Sequence, residues 1–276
     1  MDRRNFIGKA SSLTFLSLLE YHDSFSFFAN NNPRTINENL IQEIELQTNT
    51  SLSTLKEFYN RKLGFEIRSE SPEMLVVQAG LTMIIFIRSG NTKGVPFYHF
   101  AFNIPENKVR LARDWQLKRT ELLPTPTHMI DEGYPNDIRH FRNWNAHSVF
   151  FWDPAGNLLE YIARHDLRNG SKGDFSTKDI LYASEIAFIV DDVDLFSNEL
   201  KNSFELPEYK QGNAEFRAIG DEYGLLLVMK KCRVWMGNTN TPKTPDVHQT
   251  LTKIKSNKNS DWHSNDYPYK ILSTIS

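Results

Sequence analysis

The sequence predicts an α+β fold assembled from a repeated strand–helix–strands unit, and three observations point to it. Three successive segments carry the same order of elements, and internal repetition decides an architecture before any single element does. Their central parts space apolar residues as a helix does, while the flanking runs are short and strand-like. A glycine introduces one closing run in each segment: Gly80, Gly156 and Gly224.

The chain opens on Arg3-Arg4-Asn5-Phe6-Ile7-Gly8-Lys9, followed by a weakly apolar stretch over 10–19. This arrangement is similar to a twin-arginine export signal. Residues 1–35 are therefore expected to be signal and linker, and the destination periplasmic or otherwise exported. Glu20, His22 and Asp23 come early and no A-x-A cleavage site follows, which keeps an ordinary tail on a cytoplasmic protein as the other reading.

The first unit begins with a strand over 41–48. Leu52, Leu55, Tyr59 and Leu63 then form a helical stripe that Gly64 terminates, and strands follow over 65–69, 73–78 and 82–88. The second unit starts with a strand over 98–104 and a helix over 106–119. A proline-bearing insert over 122–146 separates these from a hairpin over 147–164. The third unit reads as a strand over 184–190, a helix over 193–206, and strands over 214–219 and 224–236. Polar residues dominate after Cys232, with one further strand expected around 247–254 and loosely ordered residues at the end.

Composition bounds the partners. The chain has 276 residues, 39% hydrophobic and 24% charged, as a soluble globular protein does. Its net charge of −2 provides no electrostatic case for nucleic acid. No apolar run is long enough to span a bilayer. Cys232 is the only cysteine, which excludes an intrachain disulfide and a thiolate metal cluster.

The opening strands share a register in which a polar residue precedes an apolar alternation: Glu43, His99 and Glu185. Side chains alternate faces along a strand, so these three face one way and Ile44, Phe100 and Ile186 face the helices. Four residues beyond the three glycines stand Ile84, Glu160 and Val228. Only the middle unit combines His at the opening position with a carboxylate at the closing one. Both sit in apolar strands, where an unpaired polar group is costly and a divalent cation is one partner that removes the cost.

Leu55-Lys56-Glu57-Phe58-Tyr59 with Leu63-Gly64-Phe65, then His99, then Asp153-Pro154-Ala155-Gly156-Asn157-Leu158-Leu159-Glu160 give the stretch over 41–236 its family likeness. The chain resembles the vicinal oxygen chelate superfamily, which includes glyoxalases, bleomycin-resistance proteins and extradiol dioxygenases. The resemblance implies paired βαβββ modules that form a cup-shaped mixed sheet, with metal ligands on the first and last strands of each module. It implies His99 and Glu160 as metal ligands, with Glu43 as third ligand and general base; Glu45 has the same parity as Glu43 and competes for the inward position. The remaining family position falls on Ile84, which cannot bind metal.

The implied domains are 36–170 for paired modules one and two with the metal site, 171–240 for a third module, and 241–276 for a polar tail. The implied function is a metal-dependent glyoxalase- or dioxygenase-like enzyme acting on a small oxygen-chelating substrate. Its ion would be Mn, Zn, Ni, Co or Fe(II). The alternative is a non-catalytic binding protein of the same fold that sequesters a small ligand. An unpaired third module invites a homodimer. Glu185 is expected to be a solvated or interface carboxylate, His147 a packed or hydrogen-bonded histidine rather than a ligand, and Arg164-His165-Asp166 a capping or loop ion pair. His140 and Trp144, in the insert, are candidates for ligand recognition; Tyr98, Phe102, Phe150, Trp152 and Tyr161 form an aromatic-rich centre that is mostly core, with the alternating ones on the cup side expected to line an apolar pocket.

Overall fold

The computed structural model of this chain describes residues 39–89, 95–233 and 246–275; the leader expected over 1–35 lies outside them. In the first unit, β1 (Ile41–Thr48) leads into α1 (Leu52–Lys56), which Ser51 caps by accepting from the Thr54 amide. The helix then widens into a π-helical segment, Glu57–Lys62, in which Leu63 N donates to Phe58 O at 3.0 Å. The wider turn sends both Phe58 and Tyr59 into the core. The unit closes with β2 (Glu66–Glu70), β3 (Met74–Ala79) and β4 (Thr82–Arg88). The second comprises β5 (His99–Ile104), α2 (Val109–Leu117), β6 (Arg139–Phe141), β7 (Ala146–Trp152) and β8 (Leu158–Arg164). The third comprises β9 (Tyr182–Val190), α3 (Val193–Phe204), β10 (Phe216–Asp221) and β11 (Gly224–Lys230).

The polar C-terminal residues form three strands: β12 (Thr250–Ser256), β13 (Ser260–His263) and β14 (Tyr269–Ile275). More structure stands here than the single expected strand. Polar composition concealed it, because Lys253 and Lys255 alternate with Thr252, Ile254 and Ser256, and only the second set is buried.

Two seven-stranded mixed sheets result, one of them curled into a half-barrel. The first has the order β13-β14-β12-β1-β4-β3-β2 and the second β10-β11-β9-β5-β8-β7-β6. Both follow one rule. An opening strand pairs parallel with the last strand of its own unit (β1 with β4, β5 with β8, β9 with β11, β12 with β14) and antiparallel with the opening strand of a second unit. The partners differ from those expected: β5 joins β9 and β1 joins β12, so unit two pairs with unit three and unit one with the C-terminal strands. The expected block over 36–170 is thus divided between two sheets, and within the expected tail residues 250–275 form a half-unit. Among the described residues each unit has a mate, so the unpaired third module from which a homodimer was expected does not occur there.

A single hydrophobic core takes one face of both sheets and the buried faces of the helices, including Ile44, Ile84, Phe100, Phe102, Tyr161, Ile186 and Phe188. Gly80 shows how closely the sheets approach. Its φ is +59°, and a Cβ there would lie 1.9 Å from the Leu181 carbonyl oxygen. The core also fixes strand register. Burying Phe100 or Phe102 contributes roughly 1.5–3 kcal/mol each, against about 1 kcal/mol for a typical hydrogen bond. A one-residue slip of β5 would turn both rings to the opposite face. His99, Ala101 and Asn103 therefore point away from the core as a consequence of what Phe100 and Phe102 bury.

Candidate metal centre

The Asp153–Asn157 turn sets the frame of the site. Asp153 accepts from the Asn157 amide at 2.8 Å, from Asn157 Nδ2 at 2.7 Å and from the Tyr59 hydroxyl at 2.7 Å. Asn157 Oδ1 accepts from the Tyr98 amide at 2.8 Å. The turn is thereby bolted to the first helical segment and to the start of β5. Burial pushes the Asp153 carboxyl above the ordinary range, against the bonds from Tyr59 and Asn157. Gly156, at φ +83°, supplies the left-handed residue that the turn requires.

With β8 held in this register, Ala101 lies between Glu160 on one side and Glu185 on the other. Its small side chain leaves room above the row, and His99 stands two residues earlier on the same face. His99 Nε2 is 3.6 Å from Glu160 Oε2 and 3.7 Å from Glu185 Oε2. The three side chains are 7%, 3% and 3% exposed. His99 Nδ1 lies 3.0 Å from the Leu158 carbonyl, which accepts only and so places the proton of the neutral imidazole on Nδ1. Nε2 then offers a lone pair toward the carboxylates, the arrangement in which a metal-ligating histidine is held by its other nitrogen.

Charge is arranged around the trio. Arg164 Nη2 donates to Glu185 Oε1, leaving Oε2 for the centre, and Arg164 Nε donates to Asn103 Oδ1 at 3.2 Å. Arg139, also buried, donates to the Pro124 carbonyl at 3.1 Å, while its Nε and Nη1 make no hydrogen bond among the described residues. Burial holds the Arg139 guanidinium down to about 10, opposed by the charge of Glu160. Its cation lies 4.2 Å over the Phe150 ring, which stacks on His99 at 6.2 Å. Burial, then the nearby charge of Glu185, raises Glu160 from 4.5 to about 7. Burial lowers the His99 pKa, but the Glu185 hydrogen bond and the two carboxylate charges outweigh it, and the net shift is upward.

The donor set fits a divalent ion. One imidazole nitrogen and two carboxylate oxygens are a common ligand combination for first-row divalent metals. With metal–ligand bonds of about 2.1 Å, ligand atoms around an ion lie roughly 3.0–3.6 Å apart. Of the two separations measured from His99 Nε2, 3.6 Å stands at the upper limit of this range and 3.7 Å just beyond it, so a bound ion draws the ligands slightly inward. The ion would be held by His99, Glu160 and Glu185.

Of the expected ligands, His99 and Glu160 are brought together and Glu43 is not. Glu43 lies on β1 in the other sheet, where its Oε1 is 2.8 Å from Lys253 Nζ. The mate of β5 is β9, so Glu185 takes the place given to Glu43. Glu185 shares the opening register of His99, and that register was its signal in the sequence; the identity of the pairing strand was not available. Arg164 is a buried strand residue bound to Glu185, not part of a loop ion pair. Ile84 faces the core opposite Ile44, and Val228 faces it opposite Phe188. Counting from the glycines misses by one residue because the turns differ in length. The strand pairing sets Ile85 and Leu227 in the places corresponding to Glu160, and both are apolar. Trp144 approaches Tyr209 and Phe216 at 5.2 and 6.2 Å between ring centroids, with Arg164 5.3 Å over its ring. Phe150 and Trp152 belong to the apolar lining on this face, whereas Phe102 and Tyr161 lie in the main core.

No protein-family model matches the chain, and no curated protein matches it significantly. Solved structures do resemble it. One, a candidate dioxygenase from Bacillus subtilis subsp. subtilis str. 168, has a TM-score of 0.51 and 15% identity over 79% of this chain and 71% of that one. Glyoxalase I from Zea mays has a TM-score of 0.46 and 13% identity over 80% and 75% of the two chains. Lactoylglutathione lyase from Agrobacterium tumefaciens has a TM-score of 0.34 and 18% identity over 44% and 91%. At 15% identity the Bacillus structure shows a shared fold, which this chain builds from units joined through antiparallel opening strands, each strand closed by its own unit's last strand.

Proposed function

We propose that the chain is a metal-dependent enzyme acting on a small substrate that presents neighbouring oxygens, with His99, Glu160 and Glu185 as the protein ligands. The observation that carries this reading is the convergence of one tautomer-fixed imidazole and two buried carboxylates on one point. When bound, the ion supplies Lewis-acid polarisation of a substrate oxygen. The chain's own groups supply the rest. Glu185 is held by Arg164, so one of its oxygens stays directed at the centre. Arg139 brings a buried cation with two uncommitted donors, suited to hold a substrate oxygen that carries negative charge. Phe150, Trp152 and Trp144 supply apolar walls that keep water from the polarised group.

The donor set favours lyase or isomerase chemistry over ring cleavage. The iron triad of ring-cleaving enzymes takes two histidines and one carboxylate; here the ratio is reversed. Glu43, with Lys253 in the other sheet, has no part in proton transfer at this site.

Metal analysis tests the reading. Protein purified after growth in manganese- or zinc-supplemented medium is expected to carry an ion that His99→Ala, Glu160→Gln and Glu185→Gln each remove, while Glu43→Gln leaves it in place. Loss of the ion in Glu43→Gln, or full retention in all three ligand variants, would refute the assignment, and a metal-free wild type after supplemented growth would support ligand sequestration instead.

A further inference from the structure

The opposite face of β7 carries a second cluster. His147 Nε2 lies 3.0 Å from Asp131 Oδ2, and His147 Nδ1 lies 2.8 Å from His165 Nε2. His165 Nδ1 in turn lies 3.2 Å from Glu106 Oε2. Two carboxylates thus bracket two imidazoles in one hydrogen-bonded row, Asp131–His147–His165–Glu106.

The row is short of one positive charge. It contains three contacts at hydrogen-bond distance, and each needs a proton between its two atoms. Two neutral imidazoles supply two protons, and two ionised carboxylates supply none. One contact therefore sets lone pair against lone pair unless a cation enters. His140 decides where the cation sits. Its Nδ1 is buried, lies 3.5 Å from the same Asp131 Oδ2, and makes no hydrogen bond among the described residues. An added proton would complete the row and leave His140 Nδ1 as it is. A metal ion at the Asp131 end satisfies both.

We infer that Asp131 Oδ2, His140 Nδ1 and His147 Nε2 form a second, independent site for a first-row transition-metal ion such as Zn²⁺. The three atoms lie within 4.8 Å of one another. His165 and Glu106 complete the site from behind: with its proton on Nδ1 and directed at His165, His147 presents a lone pair at Nε2. Asp131 and His140 retain 26% and 17% exposure, which leaves an entry route from solvent. The His140 and His147 rings stack at 4.4 Å, 6° from parallel, so ion uptake tilts one ring out of the stack to bring both nitrogens onto one centre. Asp131 belongs to the irregular part of the insert, whereas His140 and His147 are cross-strand partners on β6 and β7. The ion would fasten the insert to the sheet, and the insert carries Arg139 and Trp144 of the first site.

The test uses the full chain with the first site disabled by His99→Ala and Glu160→Gln. Titrated with Zn²⁺ against a chromophoric chelator, this protein is expected to bind one equivalent. Adding His140→Ala or Asp131→Asn should weaken that binding by at least about 100-fold, and Glu106→Gln by about tenfold. Zn²⁺ should also slow proteolytic cleavage within 122–146, and His140→Ala should abolish this protection. Binding of the same affinity after both His140→Ala and Asp131→Asn would overturn the proposal, as would a folded double variant that takes up no zinc. Because the first site is silenced throughout, neither result bears on whether His99 and Glu160 hold an ion.

Discussion

At the residue scale, the chemistry turns on polar groups placed where strands are otherwise apolar. His99 and Glu160 were legible for that reason: each interrupts an apolar alternation and needs a partner. Glu185 was visible by its register but lacked a companion, because nothing local to 182–190 reveals that β9 lies beside β5. Arg164 and Arg139 were harder still. An arginine on a strand reads as solvated unless its partners are known, and theirs are distant in sequence. The raised Glu160 and His99 pKa values have a consequence for stability. Both groups bind protons more tightly in the folded, ion-free chain than in the unfolded one, so stability falls as pH rises. For Glu160 the loss spans pH 4.5 to about 7. Thermal unfolding of chelator-treated protein should therefore decline across this window, and Glu160→Gln should flatten part of the decline. Identical slopes in the two proteins would mean that Glu160 is not the strained group.

At the element scale, the Asp153–Asn157 turn links sequence to site. Asp-Pro-Ala-Gly-Asn was recognisable as a turn from its residue types. Its role in clamping β8 to β5 follows from the bonds Asn157 makes to Tyr98 N and to Asp153. Asn157→Ala leaves the buried Tyr98 amide and the Asp153 carboxylate each one partner short, at a cost of about 2–4 kcal/mol. Urea unfolding measures it, and a variant within about 0.5 kcal/mol of wild type would show that the turn does not depend on this side chain. The C-terminal strands illustrate the reverse case. Thr250–Ser256 alternates as a half-buried strand does, but lysine and threonine carry the alternation, and composition hid what periodicity displayed.

At the scale of the whole molecule, the repeat was legible and the partnership of repeats was not. A strand's own residues declare that it is a strand, and its buried face declares which side meets the core. Which opening strand it joins depends on contacts across the chain: β1 pairs with β12 some two hundred residues away, while β5 passes over β1 to join β9. The outcome is nested, with units two and three forming one sheet inside the chain of the other. This exchange moved Glu43 out of the site and brought Glu185 in. We also propose, from Arg3 and Arg4 alone, that the leader directs export of the folded chain. Lysine at both positions should retain the protein in the cytoplasm, and unchanged fractionation would refute it.

Anomalous diffraction from crystals soaked in Mn²⁺ addresses the first metal site most directly. A peak bonded to His99 Nε2, Glu160 and Glu185, with Glu43 remote from it, is the result this account predicts. A fully soaked crystal whose density there is empty, or whose only ion sits beside Glu43, would contradict it.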